Sequence, residues 1–314
     1  MIENADCPMT GTAPAPAVRK TPLLGPLSRL ARQRKTWSPA LLAGVSWRAV
    51  TNLGTHREVL RFLKLPILTQ VVRDNPRFPF KYLTHDYLVR GFTIPTRASC
   101  FLHHYRRLHA ALPDRLLRVA LQADIPLVEL TGGGHRFAIA MGLSMPFDKE
   151  GEMSLNLQVE GETVFLISFT IVPGWVIHSS APEILLISRV QGMKGAYRQI
   201  RLATTSLHDV APGPLLLAAL QGIGNALGIG AIAGVSAVRQ SSYTPDSAAI
   251  FIKAYDAFFT EMGILKTQGG FFLTPIPLEE KPLTEIKPGH KIRTREKRAF
   301  KQQIQSACAS FFKK

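Results

Sequence analysis

Residues 183–238 read EILLISRVQGMKGAYRQIRLATTSLHDVAPGPLLLAALQGIGNALGIGAIAGVSAV, and the way this stretch breaks into elements decides the fold. An apolar run of strand length (EILLISRV) meets a small glycine turn (QGMKGA), a helix-like segment follows to about Ser206, and LHD ends it. Pro212 and Pro214 suit a helix start, PLLLAALQGIGNAL (214–227) gives about four turns, and Gly228 is placed as its C-cap. The next run, IGAIAGVSAV, is again of strand length and character. A competing reading is a membrane span, because no formal charge falls between Asp209 and Arg239 and the glycines have GxxxG-type spacing. Against it, Gly222, Gly224, Gly228, Gly230 and Gly234 would each cost a single helix about 1 kcal/mol relative to alanine, which favours a break into helix and strand.

A strand feeding a helix through a glycine turn presents backbone N–H groups at the strand's C-terminal end. Such a place binds anions, above all phosphate. The candidate ligand-binding residues are therefore Gln191, Gly192, Met193, Lys194, Gly195 and Ala196, with the two glycines allowing close backbone approach and Lys194 adding a charge. The alternative is a tight turn and nothing more. The later GIGNALG from Gly222 has GxGxxxG spacing inside a helix, so it is not the dinucleotide fingerprint.

Working outward, 314 residues with 46% hydrophobic content make a globular chain of one large domain or two. A net charge of +16 implies an anionic partner: nucleic acid, lipid headgroups or a phosphorylated substrate. No RNA-binding or helix-turn-helix signature supports nucleic acid specifically. Cys7, Cys100 and Cys308 lie far apart without a CxxC pair, which suggests neither a disulfide framework nor a zinc site and fits a reducing cytoplasm.

Residues 1–36 read as a disordered basic leader without a signal-peptide apolar region. From 37 to 124 the pattern is helical, with Ser38 and Pro39 as N-cap and first helical position. In CFLHHYRRLHAAL the adjacent His103 and His104 point to different helix sides, and no HExxH pattern accompanies them, so a solvated or partner-facing basic helix is expected instead of a metal site. From about Ile125 the runs HRFAIAMGL, EMSLNLQV and ETVFLISFTIV read as consecutive antiparallel strands. The helix AAIFIKAYDAFFTEMG and a last strand GGFFLTPIP follow the central stretch. The expected class is α+β, a mixed and mainly antiparallel sheet with flanking helices over 125–278, preceded by the helical region. Residues 279–314 read as a basic tail whose Lys and Arg have near-helical spacing, most simply a solvated surface.

The segments KYLTHDYL, HHYRRL, EGEMSLNLQVEGETVFLISFTI and QGMKGAYRQIRLATTSLHDVAPGPLL, with the basic C-terminus, together resemble the VirK/YbjX family of bacterial proteins over roughly residues 55–310. Where an HGLRPK-like segment would be expected, this chain carries HDVAPG from His208. The resemblance implies a link to virulence and envelope behaviour. Independently, the element order from Ile125 to Pro277 is similar to the GNAT acyltransferase fold, in which the turn after the fourth strand holds the pyrophosphate of acyl-coenzyme A with backbone amides. QGMKGA sits where that turn should be, approximating the pattern Q/R-x-x-G-x-G/A.

That resemblance implies acyl-CoA-dependent transfer to an amine or hydroxyl acceptor, which needs a base for the acceptor and an acid for the leaving thiolate. The candidates are His208 as base or helix-end cap, Tyr243 and Tyr255 as acid or, for Tyr255, a core aromatic, and Glu152 as base or exposed turn residue. The rival class is a non-enzymatic factor that binds an anionic membrane surface or an envelope protein. The expected location is the cytoplasm, including the inner-membrane face.

Overall fold

A computed structural model describes residues 38–85, 87–144 and 149–312, so the leader lies outside the described residues. The described residues form ten α-helices and eight strands, a helical region first and an α+β region after it. Helices α1 (Pro39–Thr51), α2 (Leu53–Phe62), α3 (Pro66–Asp74), α4 (Ile94–Ala111) and α5 (Asp114–Ala120) come first, with a 3-10 turn, Phe78–Leu83, between α3 and α4. Ser38 caps α1 by accepting from the Leu41 N–H at 3.2 Å, and Pro39 opens it.

Strands β1 (Ile125–Gly132), β2 (His135–Leu143), β3 (Met153–Val159), β4 (Glu162–Pro173) and β5 (Glu183–Gly192) form a continuous antiparallel meander. Helices α6 (Tyr197–Ser206) and α7 (Pro212–Leu227) then carry the chain to β6 (Ala231–Val235). Next come α8 (Ala248–Phe251), a π-helical turn (Ile252–Asp256), α9 (Ala257–Glu261), β7 (Leu265–Lys266), β8 (Phe271–Pro275) and α10 (Lys291–Phe311). The sheet order is β1-β2-β3-β4-β5-β6-β8-β7.

One pair breaks the antiparallel rule. β5 and β6 run parallel, as a strand–helix–strand crossover requires, and they pair only where Leu185–Ile187 faces Ile232–Gly234. Just beyond, the β4–β5 register slips, Ser168 facing Arg189 and Phe169 facing Ile187, so Ser188 is the extra residue of a bulge. β5 continues beside β4 to Gly192 while β6 stops at Val235, and the two parallel strands part at their carboxyl ends.

The stretch 210–238 is a helix and a buried strand. Thirteen of the sixteen residues of α7 are buried, Gly228 ends the helix at φ +70°, and every residue of β6 is buried. A helix apolar on all sides here lies inside a protein core. No helix among the described residues is long and apolar enough to cross a membrane. The first two glycines of GIGNALG have packing reasons. A Cβ on Gly222 would come within 2.2 Å of the Gln305 carbonyl of α10, and one on Gly224 within 2.4 Å of Ile276.

Three expectations need correction. The segment after 279 is not a solvated tail, because Lys291–Phe311 forms a 21-residue helix that lies along α7 and buries Phe300, Ile304 and Cys308, spaced i, i+4, i+8. Helix α4 is solvated along only part of its polar residues, since Arg106 and His109 are exposed but Arg97, His104 and Tyr105 are buried where it packs on β4. Two strands went unrecognised: β1, whose burial fades along its length as expected at an edge, and the two-residue β7. One hydrophobic cluster runs from Val45 to Cys308, so the N-terminal helices and the sheet share a core.

Candidate functional site

β5 and β6 part beyond Ile187 and Gly234, and the space between their carboxyl ends, where α/β sheets bind ligands, is taken as the candidate crevice. Four segments converge there. Ser188, at the bulge, donates through Oγ to the Glu150 carbonyl at 2.5 Å. The Glu150 carboxylate accepts from Ser241 Oγ at 3.2 Å and Ser242 Oγ at 3.4 Å, and Arg189 Nε lies 3.7 Å from its other oxygen. Arg189 Nε also donates to Gln191 Oε1 at 2.8 Å. The Arg90 N–H donates to the Arg239 carbonyl and its guanidinium to the Tyr243 carbonyl, which ties a third loop to the same place.

The π turn closes the crevice on the side after β6. Asp256 accepts from the Ala237 N–H at 2.7 Å, which pins the turn to the end of β6, and the turn packs against β5. The wider π turn is a common feature of functional helices. Here it seats Tyr255, which is buried and stacks on Phe251 at 5.7 Å, while Tyr243 meets the other side of the trio edge-on at 5.9 Å from Phe251. Ser236 Oγ and Gln240 Oε1, at the end of β6, are buried and have no hydrogen-bond partner among the described residues. Buried polar atoms of this kind ordinarily bind water or a ligand.

The turn between β5 and α6 follows the carboxyl end of β5. The Met193 N–H donates to the Val164 carbonyl and the Ala196 N–H to the Met193 carbonyl, whereas the Lys194 and Gly195 N–H groups have no partner among the described residues. Ala196 offers α6 no side-chain cap, so the first N–H groups of that helix are open as well. Gly195 has φ +83° and nothing within 4 Å of where a Cβ would sit, so the turn is open to solvent and its conformation favours glycine. Gly192 instead packs against Ile200 and Phe165.

Beneath the crevice lies a polar network closed off from solvent. Glu152 is 0% exposed, which overturns the reading of it as an exposed turn residue. Its Oε1 accepts from the Tyr87 hydroxyl at 2.6 Å and pairs with Lys81 Nζ at 3.1 Å, and its Oε2 accepts from the Tyr105 hydroxyl at 2.5 Å. Lys81 also donates to the Gly151 carbonyl at 3.1 Å. Burial first, then the charge of Glu152, holds both tyrosines well above the usual phenol range, so both remain donors. Gly151, at φ +145°, has room for no Cβ, since one would sit 2.8 Å from the Ser168 side chain. With three donors fixing its carboxylate, Glu152 anchors the segment 150–152 and so sets where Glu150 points.

His104 completes this layer. β3 begins at Met153, so the Ile171 N–H lies beyond the strand that would have accepted its hydrogen bond, and His104 Nδ1 accepts it at 3.0 Å. That contact puts the proton on Nε2, which is buried and has no partner among the described residues. Burial, with Lys81 nearby, holds the imidazole neutral by lowering its pKa well below the ordinary value.

The sequence-derived candidates thus divide. Tyr243 and Tyr255 come together around Phe251, Gln191 is tied to the same place through Arg189, and Gly192 to Ala196 carry β5 on into α6 beside β4. Glu152 lies one layer below, inside its own network. His208 does not join them: it sits at φ +54° after α6, its ring 4.6 Å from Phe300 of α10, separated from the glycine turn by the length of α6, about 15 Å for ten residues. Glu150, Ser241, Ser242 and Arg189 were missed, and only the Ser-Ser pair just after a buried strand offered a signal. Among the described residues no group of His, Cys, Asp and Glu is arranged to hold a metal ion.

No curated protein and no solved structure matches the chain. A family model described as "Protein of unknown function (DUF535)" matches residues 45–310, from the second turn of α1 to the last turn of α10, and therefore takes in the whole crevice and the network beneath it. The chain belongs to this family, DUF535, which is the VirK/YbjX family.

Proposed function

We propose that the protein is an acyltransferase that takes its acyl group from a coenzyme A thioester and passes it to an amine or hydroxyl acceptor in the β5–β6 crevice. The observation that carries this reading is the parting of parallel β5 and β6 at the Ser188 bulge, with an open glycine turn leading from β5 into α6. We take the antiparallel run followed by the parallel β5–β6 pair as similar to the GNAT arrangement, with β5 in the place of that fold's fourth strand. This is a likeness of architecture, and the chemistry has to be argued from the residues.

The turn suits a pyrophosphate on three counts. The Lys194 and Gly195 N–H groups lack partners among the described residues, Gly195 leaves open space, and Lys194 supplies a positive charge. The donor, when bound, supplies an activated carbonyl. The chain's own residues supply the proton handling. Glu150, whose carboxylate is oriented by Ser241, Ser242 and Arg189, takes the proton from the acceptor's attacking nitrogen or oxygen. Tyr255 gives up its hydroxyl proton to the leaving sulfur, a role its place on the helix after β6 permits.

Calorimetric titration of coenzyme A into the wild type, Lys194→Ala and Gly195→Ala tests this. Loss of a charge-assisted hydrogen bond worth about 1.5–3 kcal/mol should weaken binding of Lys194→Ala roughly ten- to a hundredfold. Equal binding by all three proteins, or no binding by the wild type, would overturn the proposal.

A further inference from the structure

The α1–α2 corner exposes three large apolar side chains that the core does not use. Trp47 is 68% exposed, Val50 66% and Leu53 45%. They recur every third residue through the junction at Asn52: Trp47 and Val50 share a face of α1, and Leu53 opens α2. The opposite face of α1 has a structural task, burying Val45 and Ala49, so the outward face is free of packing duties. Cations follow directly. Arg57 and Arg61 are exposed four residues apart on α2, and exposed Lys64 comes in the turn after it. The only acidic residue of α2, Glu58, is already paired with Arg106 at 2.9 Å. Residues 1–37, which precede α1 in the sequence, carry six Lys or Arg against Glu3 and Asp6.

An apolar cluster with a tryptophan, flanked by cations without an acidic partner among the described residues and preceded in the sequence by a basic segment, has the two signals that a peripheral contact with an anionic bilayer needs: side chains that enter the headgroup boundary and charges that are drawn to it. A protein partner would also accept an apolar face, but the one-signed charge around this one matches a negatively charged lipid surface. We infer that the protein docks on anionic membrane through Trp47, Val50 and Leu53, with Arg57, Arg61 and Lys64 against the headgroups. This surface lies on the helical layer, apart from the β5–β6 crevice, and the inference stands whether or not the acyltransferase reading does.

The test is sedimentation of the full-length protein with vesicles of pure phosphatidylcholine and with vesicles containing phosphatidylglycerol. Binding should need the phosphatidylglycerol and weaken as salt is raised. The double variant Trp47→Ser/Val50→Ser should melt at the wild-type temperature and lose at least about tenfold in partitioning, as expected for two lost apolar anchors. In a background with Trp37→Phe and Trp175→Phe, the remaining Trp47 fluorescence should shift to the blue on binding. Absence of binding, equal binding to both vesicle types, or unchanged binding by the double variant would each overturn the inference. So would self-association of the wild type that the double variant abolishes, since a second copy would then be the occupant of this face.

Discussion

Replacing Glu152 by glutamine separates its anchoring role from the catalytic role its residue type first suggested. The substitution keeps the shape and one acceptor oxygen, so the Tyr87 hydroxyl still finds a partner, but it leaves Lys81 as an uncompensated cation at 6% exposure. Breaking a buried ion pair from one side costs about 3–5 kcal/mol. With unfolding slopes of about 1–3 kcal/mol per molar urea, the midpoint should fall by at least about 1 M. Converting Lys81 to methionine as well removes the stranded charge, so the double variant Lys81→Met/Glu152→Gln should be more stable than Glu152→Gln alone. Urea unfolding followed by circular dichroism reads all of these. If Glu152→Gln loses less than about 1 kcal/mol, or if the double variant is no better than the single one, the charged network is not what holds the 150–152 segment.

Other predictions follow from the same geometry. His104 is buried neutral with its pKa lowered, so below the unfolded value of about 6.5 the unfolded chain gains a proton that the native state does not; stability is full above that pH and falls as pH drops, by up to about 1.4 kcal/mol per unit. His104→Gln should remove that part of the acid sensitivity, measured as the difference between the two proteins' unfolding free energies from pH 7 to 5; parallel profiles would contradict it. Gly222→Val should cost at least about 1–3 kcal/mol by driving α10 off α7, and an unchanged melting temperature would show that the two helices are not in close contact. Cys308, whose thiol burial pushes up to about 12, should resist thiol reagents in the native protein and react once urea loosens α10; fast native labelling would contradict its burial.

What the sequence made legible was local. Prolines at 212 and 214, a glycine at 228 and two apolar runs identify α7, β5 and β6 because capping and periodicity act within a few residues. The glycine turn was visible for the same reason. The Glu152 network was not, because Tyr87 lies 65 positions away and Tyr105 lies 47 away, and nothing near Glu152 signals that it will be buried. His104 was unreadable in another way, since its partner is a backbone N–H exposed only by where β3 happens to begin. For α10 the signal existed: Phe300, Ile304 and Cys308 form a narrow apolar stripe, but the surrounding Lys and Arg residues outweighed it. The π turn at Tyr255 is fixed by packing on β5 and by the bond from Ala237 to Asp256, neither of which the local sequence encodes.

A crystal structure of the full chain grown with coenzyme A tests the central claim most directly. The account predicts the pyrophosphate within hydrogen-bonding distance of the Lys194 and Gly195 N–H groups, with the thiol end directed between β5 and β6 toward Glu150 and Tyr255. Coenzyme A bound elsewhere, for instance in the cleft of about 470 Å³ lined by Asp209, Met262, Leu278 and Lys297, or a crevice that stays closed to it at saturating concentration, would contradict the account.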